Sequence, residues 1–457
     1  MTDPGSLAER LSEATKPSKH RPIMLKIGVI VILILGLLIP LSMISGVISE
    51  RQSHKDEVTG AIADTWGKGQ LIIGPILVVP YKAIHSGGGG EVEKQISTEF
   101  AYLLPKEYRV KSNLKSSIRY RGIYKSVVYT SNLDDDGKFD LNDLRELKIA
   151  EDAFVWKDAF VIISVPQPKS IQSPPTLKWA DKFIDVLPGT HGVGLFDVGL
   201  YAPVNCDPAE KDIPFSIKLS LKGSDSFSLA PIGKQNKLEI SADWPTPSFT
   251  GGILPSNRTI THDGFSALWE IPYFARSYPQ TFVATADSAN QIGRKPLEDS
   301  RVGVSLYSPI DFYRQADRAT KYGILFLTLT FATYFLLEII AKCRLHPFQY
   351  LLVGCALCLF YLMLIAFAEV IGFNKAYILA SVSVIGTITL YSQAILGKVR
   401  RHFQFVIAGL LALLYGYLYI LLQLEDLSLL FGTIGLFIVL AVIMYVTRNI
   451  DWYSEQA

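Results

Sequence analysis

Charge is the first thing this 457-residue chain is short of. Only 19% of its residues are Asp, Glu, Lys or Arg, where a soluble domain carries about a quarter. The deficit is local. It falls on residues 27–49 and on an almost continuous apolar block from Tyr322 to Thr447, while the stretch between them has ordinary soluble composition. A wholly soluble globule and a bare helical bundle are both excluded. A net charge of +2 leaves no bulk electrostatic case for nucleic acid as a partner. General disorder is excluded too, because 11% aromatics and abundant Val, Ile and Leu can bury a core.

Catalytic and metal signatures are also missing. There is no H-E-x-x-H, no G-x-S-x-G and no P-loop. Four of the seven His (His54, His85, His191, His262) lie between the apolar segments, and none is within a few residues of another. No compact metal box can form from them. The chain has four Cys, of which only Cys206 lies in the central segment, so that segment can form no internal disulfide. Cys355 and Cys358 have C-x-x-C spacing but sit inside an apolar run, which reads as packing. No cofactor, metal or catalytic residue is expected, and the chain is read as non-enzymatic.

What is present points to a membrane. Residues 27–49 hold no charged side chain, and about 23 helical residues cover roughly 30 Å of hydrocarbon. The exit, Ser45-Gly46-Val47-Ile48-Ser49, lacks a cleavage pattern, which favours an uncleaved anchor. Arg10, Lys16, Lys19, Arg21 and Lys26 precede it and hold that end in the cytoplasm. The later block divides into five spans near 322–340, 348–368, 376–396, 403–424 and 427–447. Basic connections (Lys342, Arg344, His346; Lys398, Arg400, Arg401, His402; Arg448) alternate with poor or acidic ones (Asn374, Lys375; Glu425, Asp426). Both signals predict six spans with both termini cytoplasmic. The expected organisation is a cytoplasmic tail (1–26), a span (27–49), an outer domain (50–320), a five-helix block (322–447) and a cytoplasmic tail (448–457).

The outer domain is predicted to be β-rich. A helix continues from the first span, with Val58, Ala61, Ile62 and Trp66 on one face, and stops at Gly67 and Gly69. Strands are expected over 72–81, 126–130, 154–165, 215–221, 227–229, 237–242 and 302–307. Turn signals fall at Gly87 to Gly90, Asp136-Gly137, Pro174-Pro175, Lys222-Gly223 and Gly251-Gly252. The pattern fits a mostly antiparallel, sandwich-like domain inserted between the first and second spans. One segment, Asn132-x-Asp134-x-Asp136-Gly137-x-Phe139-Asp140-x-x-Asp143, has the spacing of a calcium loop. It lacks an entering helix and ends in Asp, so an acidic hairpin turn is the preferred reading and calcium binding stays open. Asn257-Arg258-Thr259 is a glycosylation sequon only if a glycosylating compartment applies.

Polar groups in the spans are few. Glu338 stands four residues before Lys342, the spacing of a helical ion pair at an interface. Ala408, Ala412 and Gly416 form a small-residue packing stripe. His346, Gln349 and Glu369 are the functional candidates of the membrane half. About 20 helical residues separate the first two from the third, so they cannot form one site.

Long ordered stretches of the chain resemble one family. They include Glu50-Arg51-Gln52, Trp66-Gly67, Gln70, Gly74-Pro75, Pro80-Tyr81 and Gly122-Ile123-Tyr124 with Val128-Tyr129. Further on come Trp244-Pro245, Pro247-Ser248-Phe249, Leu254-Pro255, Gly264-Phe265, Trp269 and Asp317-Arg318-Ala319. Lys321 to Phe326, His346 to Gly354, Glu369, Gly372-Phe373 and Ala376-Tyr377 complete the match. The chain resembles the CreD family of bacterial inner-membrane proteins, called cell envelope integrity proteins. The departure is the acidic run Asp134 to Asp136, which weakens the case for a family-wide calcium site. The resemblance implies an inner-membrane location, a periplasmic domain and a link to envelope stress, β-lactam response and colicin tolerance, under a two-component system. It brings no catalytic residues. The expected partners are the lipid bilayer and an unidentified envelope protein, lipid or glycan, with the oligomeric state open. A transporter or flippase-like protein and a membrane-tethered enzyme acting on envelope polymers are the alternatives.

Overall fold

The computed structural model describes residues 21–86, 94–284, 293–306, 312–341, 345–396, 401–424 and 427–448. The chain divides into two compact units, Met1–His54 with Ile310–Ala457, and Lys55–Pro309.

The first unit is helical. Among the described residues, five helices are long and apolar enough to cross a membrane: Met24–Trp66, Gly323–Ile340, Pro347–Ile371, Phe373–Ile395 and Gln404–Gln423. The sixth expected span is the helix Ser428–Thr447, whose described apolar part, Leu430–Val442, is shorter than the other five. Pro40 lies inside the first helix. Such a residue is tolerated in an apolar span when neighbouring helices re-satisfy the backbone. Val353, Leu357, Phe360, Leu364 and Ile365 of the Pro347–Ile371 helix turn inward, and Phe360 packs on Tyr361, Tyr377 and Tyr415.

The second unit is the β-rich domain. The helix Arg21–Trp66 ends where the sequence predicts, because Gly67 takes φ +142° and a Cβ there would lie 2.7 Å from the Lys222 carbonyl oxygen. Among the described residues, a nine-stranded and an eight-stranded sheet follow, and all but two of their strand pairs are antiparallel. Both sheets contribute to a single hydrophobic core. The strand Gln70–Ser86 belongs to the first sheet, and its apolar run Ile72–Tyr81 is buried on both faces, as continuous rather than alternating hydrophobicity requires. The strands Glu107–Arg121 and Tyr124–Asp140 form a long hairpin in the second sheet, with inward and outward residues alternating. The Tyr108 hydroxyl crosses between the sheets to the Gly74 carbonyl oxygen at 2.8 Å, and the Tyr129 hydroxyl crosses to Ser226 at 2.7 Å.

Several strand expectations shift. The stretch expected as strand over 154–165 is strand only at Phe160–Ser164, preceded by tight turns at Glu151–Ala153 and Trp156–Asp158. Lys222-Gly223 is not a turn but lies within the strand Asp212–Ser224. Gly87 to Gly90 and Tyr307 lie outside the described residues.

The acidic run corrects a prediction outright. Residues 132–140 are neither a hairpin turn nor a calcium loop: they continue the strand Tyr124–Asp140, flanked on one side by Glu107–Arg121 and on the other by Asp212–Ser224. The every-second-residue spacing of Asn132, Asp134 and Asp136 is the outward face of a strand, whose side chains repeat with period two. Gly137 makes no turn there. A Cβ at that position would meet the Glu107 carbonyl oxygen at 2.1 Å and the Phe215 ring at 2.8 Å. The glycine therefore allows close strand and ring packing.

Candidate functional site

Among the described residues, the ion pairs of the helical unit lie at two places, while a neutral pair, the Tyr334 and Ser392 hydroxyls, lies elsewhere. At the start of the Pro347–Ile371 helix, His346 is the N-cap and Pro347 occupies the first turn, where a missing N–H costs nothing. The Phe348 N–H donates to His346 Nδ1 at 3.2 Å, and the His346 N–H donates to Gln349 Oε1 at 3.0 Å. This reciprocal box satisfies donors that a helix start leaves bare. The structure thus brings His346 and Gln349 together and engages both side chains in capping the start of the helix.

Beside them lies a group the sequence did not reveal. Lys26 of the first helix donates to Glu338 Oε1 and to the Leu345 carbonyl oxygen at 3.1 Å. Glu338 also accepts from the Leu345 N–H (3.1 Å) and the Tyr350 hydroxyl (3.1 Å). Its carboxylate, in a residue only 8% exposed, is therefore saturated by one cation and two neutral donors, the arrangement a buried charge needs. Lys342, the partner expected from spacing, lies outside the described residues. The available clue was Glu338 itself, an isolated carboxylate in an apolar run.

Glu369 sits near the opposite end of the same helix. It accepts from the Tyr313 hydroxyl at 3.0 Å and has Arg51 at 3.9 Å. Nearby on the amphipathic helix Phe312–Lys321, Arg318 donates to the carbonyls of Leu421 (3.3 Å) and Leu424 (3.2 Å). A cation there complements the C-terminal end of the helix Arg401–Gln423. Asp317 receives Lys321 at 2.8 Å and Ser45 at 3.4 Å. Glu369 is thus not brought to His346 and Gln349. The inward face between Tyr350 and Glu369, about 28 Å of helix, is apolar apart from Cys358 and the Tyr361 hydroxyl.

In the β domain the acidic run resolves into strand-face pairs. Arg109 Nε donates to Asp136 at 2.7 Å, Lys218 is 3.9 Å from Asp134, and the Ser220 hydroxyl donates to Asn132 at 3.0 Å. Asp143 lies beyond the strand and accepts from Lys234 at 2.8 Å. Among the described residues no three His, Cys, Asp or Glu are placed to hold a metal ion.

Asp135 alone points inward, at 2% exposure. Its Oδ2 is 3.5 Å from the Tyr108 hydroxyl and its Oδ1 has no partner. Burial pushes its carboxyl well above the ordinary carboxylate range; Tyr108 opposes this, and Asp136 and Asp134 add to it. The single Tyr108 hydroxyl proton faces two acceptors, the Gly74 carbonyl oxygen at 2.8 Å and the more distant Asp135 Oδ2 at 3.5 Å. Sealed inside the core, this pair can order the sheets but cannot reach a substrate. Cys206 is a buried free thiol, pushed up to about 12 by burial with Glu210 adding, which leaves it unreactive.

The family profile described as "Inner membrane protein CreD" matches residues 22–453. The chain is 34% identical over 427 residues, 92% of each chain, to "Inner membrane protein CreD" of Escherichia coli (strain K12).

Proposed function

Because the chain belongs to the CreD family of inner membrane proteins, we propose that it supports cell envelope integrity and the envelope stress response. In this reading it acts as a non-enzymatic protein whose β domain binds an envelope partner. The helices are its anchor. The reading places six spans in the membrane, both termini in the cytoplasm and the β domain in the periplasm. The basic connections at 342–346, 398–402 and 448 support that orientation.

One observation carries the choice of anchor over transporter. The carboxylates of Glu338 and Glu369 are engaged near the two ends of the Pro347–Ile371 helix, and the inward face of that helix between them carries no charged group. An ion-coupled carrier needs ionisable residues along its route.

Crosslinking and co-purification of the intact protein from native membranes test the reading. A reproducible partner retained through the β domain supports it. Solute uptake into proteoliposomes containing the purified chain alone would replace it with transport.

A further inference from the structure

The hairpin of the second sheet is longer than its neighbours. On one side the pairing with Gln235–Ala242 ends at Leu114, and on the other the pairing with Asp212–Ser224 ends at Val128. Residues 118–127 therefore continue as a two-stranded arm whose rungs pair only with each other, from Ile118↔Val127 to Arg121↔Tyr124. A lone two-stranded ribbon gains little stability in water. This one also carries exposed apolar side chains: Ile118 at 43%, Tyr120 at 70% and Ile123 at 55%.

Its charge is of one sign. From residue 108 to 133 the chain has six cations (Arg109, Lys111, Lys115, Arg119, Arg121, Lys125) and no acid. Lower on the hairpin the cations meet Asp136 and the cross-strand Asp134. Along the arm, Arg119, Arg121 and Lys125 pair across to Ser126, Tyr124 and Tyr120. The base of the arm is held by Trp66, whose indole donates to the Tyr129 carbonyl oxygen at 3.2 Å and lies 4.5 Å under the Arg119 guanidinium.

We propose that this arm is a membrane-docking finger that engages the anionic phospholipid surface of the bilayer holding the chain's own helices. The inference rests on the interaction role proposed above and assigns that role a surface and a ligand class. Cations near an anionic leaflet are attracted by its surface potential. Tyrosine and aliphatic side chains gain by entering the interfacial layer beside them. A soluble anionic polymer would satisfy Arg121 and Lys125 but would leave Ile118 and Ile123 in water. The chain's own bilayer is favoured over any other because the tether makes its effective concentration high.

The test uses the full chain in proteoliposomes of phosphatidylethanolamine and phosphatidylglycerol, with benzoylphenylalanine at position 120 or 123 and radiolabelled phosphatidylglycerol. The expected result is a lipid adduct when the label is in the host bilayer. The adduct should fall about tenfold in the Arg121→Glu/Lys125→Glu variant. The probe at position 183, where Phe183 is exposed on another strand of the same sheet, should give little. Equal adducts at 120 and 183, adducts only with label supplied in separate vesicles, or crosslinks to a second copy of the chain would each overturn the proposal. If the arm fails while a partner still co-purifies through the β domain, only the finger is lost. If both fail, the interaction role falls with it.

Discussion

Lys26 and Glu338 lie 312 positions apart in the chain and meet in an ion pair that also holds the Leu345 carbonyl and the Tyr350 hydroxyl. The pair ties the first helix to the helix Gly323–Ala341. The β domain is inserted between these two helices in sequence, so this link closes the helical unit independently of chain continuity.

Removing one partner should cost more than removing both. Lys26→Met leaves a buried carboxylate without its cation, and the expected loss is about 2–4 kcal/mol. Lys26→Met/Glu338→Leu should recover part of it. Thermal unfolding of the detergent-solubilised protein checks the order, and equal losses in the single and double variants would argue against a buried pair.

Asp135 gives a pH dependence of known sign. Its proton affinity is higher in the fold than in the unfolded chain. Its contribution is therefore fully present below about pH 4 and is lost as pH rises toward the folded-state value, at about 1.4 kcal/mol per pH unit. Asp135→Asn should flatten this part of the profile, read as the difference between variant and parent in chemical unfolding followed by tryptophan fluorescence. A variant profile parallel to the parent's would mean that Asp135 does not hold a proton.

The strand reading of the acidic run separates two neighbours. Gly137→Ala should cost about 2–3 kcal/mol, since the new methyl has no room beside Glu107 and Phe215. Asp136→Ala removes an exposed pair with Arg109 and should cost less than about 1 kcal/mol. Calorimetric titration of the full chain with micromolar calcium should show no saturable binding in either the parent or Asp136→Ala.

Glu369→Gln keeps an acceptor for Tyr313 and loses only the long contact to Arg51. Abundance and envelope-stress phenotypes should be unchanged. Loss of function at normal abundance would favour a route through the bundle.

Cysteine labelling checks the orientation. Lys375→Cys should react with an impermeant reagent from the periplasmic side, and Arg400→Cys should not. Labelling of both would break the six-span arrangement.

Five of the six expected membrane helices and the end of the first helix were legible because their causes are local. A run long enough to cross hydrocarbon, or Gly67 after an amphipathic turn, acts through neighbouring residues alone. The β-rich character was legible for the same reason, as were the strands at 215–221 and 237–242, which lie inside longer observed ones. His346 and Gln349 were visible as polar residues, but their work as a cap needed the backbone to be placed. The partner of Glu338 was hidden, since nothing local links residue 338 to residue 26. The acidic run shows the limit most clearly. Asp-x-Asp-Gly has the local chemistry of a turn, yet two flanking strands hold it extended with Asp135 inside and Asp134 and Asp136 outside. Sequence alone determined which segments are apolar and where helices stop. Tertiary structure decided which side chains of a strand face the core and which distant charges meet, because sheet register and helix packing depend on contacts among all the elements at once.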